Sequence, residues 1–157
     1  IKAGVLVSLS STRFRGEGDR EAAFAEALER HYPQLRRVDA NEGLGLHEAT
    51  VRVVRQRLQA NPDVCAVYSI GGANAAILQA FAAEGRSCKV FIGHDLDADN
   101  LPLLESGQIN AVLHHDLQHD MRMACLQVMR AHGVGVRQML DSLSAVQVIT
   151  PMNLPRI

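Results

Sequence analysis

The sequence has 157 residues, 47% of them apolar, which is enough to bury the core of one domain. Its 16 basic and 17 acidic residues leave a formal charge of −1, and the basic ones are scattered, so neither nucleic acid nor a membrane surface is expected as a direct partner. No stretch is apolar for long enough to span a bilayer, and the three cysteines, Cys65, Cys88 and Cys125, lack CxxC spacing; buried free thiols in a reducing, cytoplasmic setting are expected.

The chain opens on an apolar run, Ala3 to Leu9, that reads as a strand. It has no initiator Met, so it is expected to be a piece of something longer. A serine-rich loop from Ser10 to Gly18 leads to a helix from about Asp19, its expected N-cap, to Tyr32. Phe24, Ala27, Leu28 and His31 would share one face of it. Leu35 to Asp39 reads as a short strand, and a second helix runs from about Leu46 to Gln59, with Leu46, Ala49, Val53 and Leu58 inward.

Val64 to Tyr68 is a continuous apolar run bounded by Asn61-Pro62-Asp63, as a strand buried on both faces would be. Ser69-Ile70-Gly71-Gly72-Ala73 then turns into a helix from Asn74 to Phe81. Further strands are expected at Lys89–Ile92, Ile109–Leu113 and Ala145–Thr150, with a short helix around Leu101–Glu105. A longer helix from Leu117 to about His132 carries Leu117, Met121, Ala124, Cys125, Val128 and Met129 at helical spacing, and Gly133 and Gly135 would stop it. Alternating strands and helices with short links make this an α/β fold, a three-layer parallel sheet with helices on both faces.

In such a fold the strand carboxyl ends form one edge, where open α/β sheets bind ligands. That edge collects Ser10 and its loop, Gly71 to Asn74, His94-Asp95 and His114 to Asp116. Gly71 and Gly72 would admit a ligand close to the main chain, and Asn74 offers a donor and an acceptor. Arg20 either has its charge neutralised by Asp19 and Glu21 or offers paired donors to hydroxyl oxygens. Asp95 either caps the next turn or accepts hydrogen bonds from vicinal hydroxyls. His115 and His119 are four residues apart beside Asp116 and Asp120, but the pattern is not HExxH and no further ligand pair completes a zinc site. Neither a GxSxG elbow nor a Walker A is present, so no metal, cofactor or catalysis is expected.

The order and spacing of these pieces resemble lactose-repressor-type transcriptional regulators, in the carboxyl-terminal part of their periplasmic-binding-protein-like effector domain. The matching residues are Gly4-Val5-Leu6-Val7-Ser8 with its serine-rich loop, Phe14-Arg15-Gly16 followed by Arg20-Glu21-Ala22-Ala23-Phe24, and Asn61-Pro62-Asp63 through Asn74. They continue with Val90-Phe91-Ile92-Gly93-His94-Asp95-Leu96, Ile109 to Asp116 and Ile149 to Pro155. The resemblance implies one effector-binding lobe over residues 1–157, the second of two. Its ligand site would take a sugar or sugar derivative with Arg20 and Asp95, Asn74, Gly72 and Ser10, and His115 in place of the usual glutamine. It also implies a helix over 116–132 that packs on the first lobe, a homodimer, and contact with operator DNA only through an N-terminal domain absent from this chain. A periplasmic sugar-binding protein of a transporter is the alternative. In this chain the helix is expected to bury its stripe against a second copy, with the loop from Gly133 to Asp141 allowing an exchange between protomers.

Overall fold

The computed structural model describes residues 3–134 and 144–155. Their elements run β1 (Ala3–Ser8), α1 (Arg15–His31), β2 (Leu35–Asp39), α2 (His47–Ala60), β3 (Val64–Ser69) and α3 (Asn74–Ala83). There follow β4 (Val90–His94), α4 (Asn100–Glu105), β5 (Ala111–His115), α5 (Leu117–Ala131) and β6 (Val146–Ile149). The six strands form one sheet, as the alternation of strands and helices implied, and their order is β2-β1-β3-β4-β5-β6. Gly135 and the rest of the expected hinge loop to Asp141 lie outside the described residues.

Two cores separate the layers. On one face Leu6, Val67, Phe91 and Val112 of the strands meet Val54, Leu58, Ile77, Phe81 and Leu104 of α2, α3 and α4. On the other, Val7, Leu9, Tyr68 and Ile70 pack with Phe24 of α1. The strand residues alternate between these two sets, which is the period of 2 that a pleated strand imposes. Cover on the α1 side stops short of the far strands. Val90, Val146 and Val148 are about half exposed there.

One strand departs from the expected all-parallel sheet. β6 pairs antiparallel with β5, from Val112 opposite Ile149 to His115 opposite Val146. A parallel pairing needs a crossover packed back on the sheet. α5 buries none of its residues, so it makes no such crossover, and the chain re-enters beside β5 from the other end.

Helix ends also differ from the sequence reading. α1 starts four residues before Asp19, at Arg15, with Phe14 as its cap residue. Gly16 and Gly18 sit in its exposed first turns, and Asp19 faces Arg15 at 3.6 Å instead of capping. Ala27 and His31 are exposed, leaving Leu28 as the buried residue of that helix. In α2 the buried positions are Thr50, Val54 and Leu58, at intervals of one helical turn. Leu46 precedes that helix in an extended conformation and is 62% exposed. Cys65 and Cys88 are half-buried and Cys125 is exposed, so only part of the expected thiol burial holds.

Candidate ligand-binding site

The carboxyl ends of β1, β3, β4 and β5 are assembled by main-chain contacts. Ile70 and Gly71 both donate N–H groups to the Ser8 carbonyl, at 2.8 and 3.2 Å, drawing the β3–α3 turn against the loop after β1. A Cβ on Gly71 would lie 1.8 Å from the Ser10 nitrogen. Gly71 is therefore a packing glycine, its space filled by Ser10 and closed to a ligand. Gly72, with φ of +81°, has nothing within 4 Å of a would-be Cβ and leaves the turn open.

Ser10 is held by a carboxylate. Its N–H and hydroxyl donate to Glu17 Oε2 and Oε1 at 2.7 and 2.5 Å, and the Ser11 N–H adds a third bond at 3.3 Å. Glu17 sits in the first turn of α1, so this clasp explains why the helix begins so early. It also places Arg20 in the second turn, beyond the end where the macrodipole opposes a cation most.

From there Arg20 reaches the β5 tip, where its Nη2 donates to His115 Nε2 at 3.2 Å. An arginine has no acceptor, so His115 accepts. No carboxylate among the described residues lies within ion-pair distance of Arg20. Next to it, Tyr68 and His94 cap the smaller core, with the Tyr68 hydroxyl 2.9 Å from His94 Nε2. Phe24 lies against Tyr68 with ring centroids 4.5 Å apart. Burial, aided by the Arg20 charge, pushes the His94 pKa down to about 4, so the ring is neutral at physiological pH. Burial likewise raises the Tyr68 phenol.

Asp95 follows His94 with φ of 62°, in the left-handed region, and its side chain is exposed. The backbone is pinned: Asp95 donates its N–H to Leu113 O at 2.9 Å, and its carbonyl accepts from Asn100 Nδ2 at 2.8 Å. Its carboxylate makes no hydrogen bond or ion pair among the described residues.

Asn74 lies behind this edge. It is 4% exposed and donates from Nδ2 to Asn100 Oδ1 at 2.7 Å. Asn100 Nδ2 is itself committed to the His94 and Asp95 carbonyls, which fixes both amide orientations. Asn74 Oδ1 then has no partner among the described residues. A Cβ on Gly93 would lie 3.0 Å from Asn74 Nδ2, so Gly93 makes room for this amide. The side is hollowed by a cavity of about 340 Å³, lined in part by Gly45, His47, Gly72, Asn74, Asp97 and Asn100.

Of the six site residues read from the sequence, Arg20 and His115 are thus in contact, and Asp95 and Gly72 are open on the same edge. Ser10 is engaged by Glu17, and Asn74 is buried against Asn100. Glu17, Tyr68, His94 and Asn100 were missed. His94 stands in the Gly93-His94-Asp95 triplet that drew attention to Asp95, and strand alternation would have put it on the Tyr68 side. The Glu17 clasp left no sequence signal, because Gly16 and Gly18 argued against a helix there. Among the described residues no group of three or more His, Cys, Asp or Glu is placed to hold a metal ion.

A family model described as a periplasmic binding protein domain matches residues 5–133. The chain belongs to that family. Its fold is shared with a sugar-binding protein of a sugar ABC transporter from Bacillus halodurans, at 21% identity and a TM-score of 0.79 over 97% of this chain and 56% of that one. An arabinose-binding protein from Geobacillus stearothermophilus gives 22% identity and a TM-score of 0.78 over 97% and 55% of the two chains. A glucose-galactose binding protein from the same organism gives 20% identity and 0.81 over 99% and 55%. The chain spans about half the length of these solved structures. No curated protein matches it significantly in sequence.

Proposed function

We propose that the strand-tip edge is one half of a binding site for a small carbohydrate, the other half being supplied by a second lobe. The observation that carries this reading is a pair of complementary groups at this edge, one in the second turn of α1 and one directly after β4. Arg20 offers a planar donor fork with no carboxylate among the described residues within ion-pair distance, and Asp95 offers a carboxylate with no donor on it among them. Vicinal sugar hydroxyls both donate and accept, so they satisfy the two together. Gly72 leaves room at the turn, and the buried Tyr68–His94 pair closes the core behind the edge. Ser10, Asn74 and His115 support the edge from behind, through Glu17, Asn100 and Arg20. The sugar-binding proteins that share the fold favour a monosaccharide.

Chemical-shift mapping with arabinose, glucose and galactose at millimolar concentration tests this. Perturbation centred on Arg20, Gly72 and Asp95 is expected with at least one of them, and is lost in Asp95→Asn. Shifts that are absent with all three, or that fall on the β2 edge, refute the reading.

The motif order quoted above favours a cytoplasmic, dimeric regulator of the lactose-repressor type, in which this lobe senses an effector and an N-terminal domain contacts operator DNA. The transporter proteins among the structural neighbours favour a second reading, delivery of a sugar to a transporter. A helix-turn-helix encoded ahead of Ile1 supports the first, and an export signal encoded there supports the second.

A further inference from the structure

His115 sits where the strand β5 ends and α5 begins, and its two ring nitrogens are both engaged. Arg20 has only donors, so the 3.2 Å contact to Nε2 makes that nitrogen the acceptor and puts the ring proton on Nδ1. Nδ1–H then faces Ser144 Oγ at 3.2 Å, and the Ser144 hydroxyl donates to Asp120 Oδ2 at 2.7 Å. The four groups form a chain with one direction of donation, from a cation to an anion through a neutral imidazole. Bonds aligned in this way polarise and reinforce one another.

We propose that His115, Ser144 and Asp120 are positioning residues: a polarised relay that orients the Arg20 fork and ties it to α5 and to the segment leading into β6. The relay takes one member from each of four places: α1, the tip of β5, the lead into β6 and the first turn of α5. Asp116 secures the same turn by accepting the His119 N–H at 2.9 Å. α5 buries no residue in the lobe, so polar contacts at its amino end bear directly on how it leaves the sheet. A ligand that took the Arg20 donors would compete with His115 for them, and the change would be felt at Asp120. The proposal rests on the reading of Arg20 as a ligand group only for that last step; the relay itself is a property of the free protein.

The test therefore uses no sugar. Long-range 15N spectra of the 157-residue protein, recorded where imidazole is neutral, report which ring nitrogen of His115 carries the proton. The expected result is a pyrrole-type signal at Nδ1 and a pyridine-type signal at Nε2, the tautomer that free histidine populates less. Ser144→Ala removes the acceptor of the His115 ring proton and Asp120→Ala the acceptor of the Ser144 hydroxyl; Ser144 is exposed and Asp120 half-buried outside both cores, so the fold survives them. Both should lower the Nδ1–H fraction of His115 and shift the Arg20 side-chain Nε–H resonance. His115→Gln, which can still accept from Arg20, should keep that resonance closer to its original position than His115→Leu. An Nε2–H tautomer in the unmodified protein overturns the relay, as do two downstream variants that leave both resonances in place. Absence of sugar binding would refute the carbohydrate reading and leave these spectra unchanged.

Discussion

Replacing Gly71 with alanine puts a methyl group where the main chain of Ser10 already is. The new carbon would lie 1.8 Å from Ser10 N, 2.5 Å from Leu9 C and 2.7 Å from Ser10 Cα. To reach an ordinary contact of about 3.4 Å, the two backbones must separate by roughly 1.6 Å, and neither side is the end of a flexible side chain. The separation pulls on the Ile70 and Gly71 hydrogen bonds to Ser8 O, each of which contributes on the order of 1 kcal/mol. Overpacking adds about 1–3 kcal/mol. Gly71→Ala should therefore destabilise the fold by about 3–5 kcal/mol. Gly72→Ala is the control: a Cβ there meets nothing within 4 Å, and its cost is the left-handed strain at φ +81°, about 1–2 kcal/mol. Urea denaturation followed by circular dichroism compares the two directly. Equal midpoints for the two variants would refute the reassignment of Gly71 from a ligand-facing to a packing glycine.

A second expectation follows from His94, whose pKa is depressed to about 4 by burial and by the Arg20 charge. The unfolded chain binds this proton below about pH 6.5 while the folded one does not, so stability falls as pH drops from about 7 toward 4. The loss approaches about 3 kcal/mol at most, and His94→Gln should flatten that part of a urea-midpoint profile. Asp95→Asn keeps a residue that tolerates the left-handed backbone, so it should leave the unfolding midpoint nearly unchanged while weakening any bound monosaccharide by about 1–3 kcal/mol in calorimetry; unchanged affinity removes Asp95 from the site. Burial pushes the Cys88 thiol up to about 11, so iodoacetamide should modify exposed Cys125 well before Cys88, and mass mapping of the products reads the order. Leu117, Met121 and Val128 of α5 are each 60% or more exposed, an apolar stripe that favours a concentration-dependent dimer. Sedimentation should show it weakened by Met121→Glu, and a clean monomer at micromolar concentration refutes it.

The fold was legible because its signals are long and local. Val64 to Tyr68 is too short for a typical helix and rich in strand formers, and the turn chemistry on each side of it set the next helix to begin at Asn74, where it does. The elements that were misplaced are those decided by distant partners. α1 begins at Arg15 because Glu17 reaches back to Ser10 and Ser11, and two glycines in that turn concealed it. The direction of β6 depends on whether α5 packs against the sheet. Its periodicity promised an amphipathic helix without saying what the apolar face meets.

At the site the same division separates what a residue type announces from what its neighbours decide. Arg20, Asp95 and His115 stand at strand and helix ends where their chemistry faces outward, and the sheet brings Arg20 to His115 across 95 positions of sequence. The Asn74 amide turns inward because Gly93 leaves space for it and Asn100 offers an acceptor whose own orientation is fixed by two carbonyls. That inward amide holds the His94–Asp95 backbone through Asn100, and Asp95 can present its carboxylate from a left-handed residue because the peptide on either side is pinned. The polar groups buried behind the edge thus fix the geometry of the few left free in front. For the half-site proposed above, such an edge keeps its shape before a ligand arrives, so less of the interaction energy is lost to ordering it.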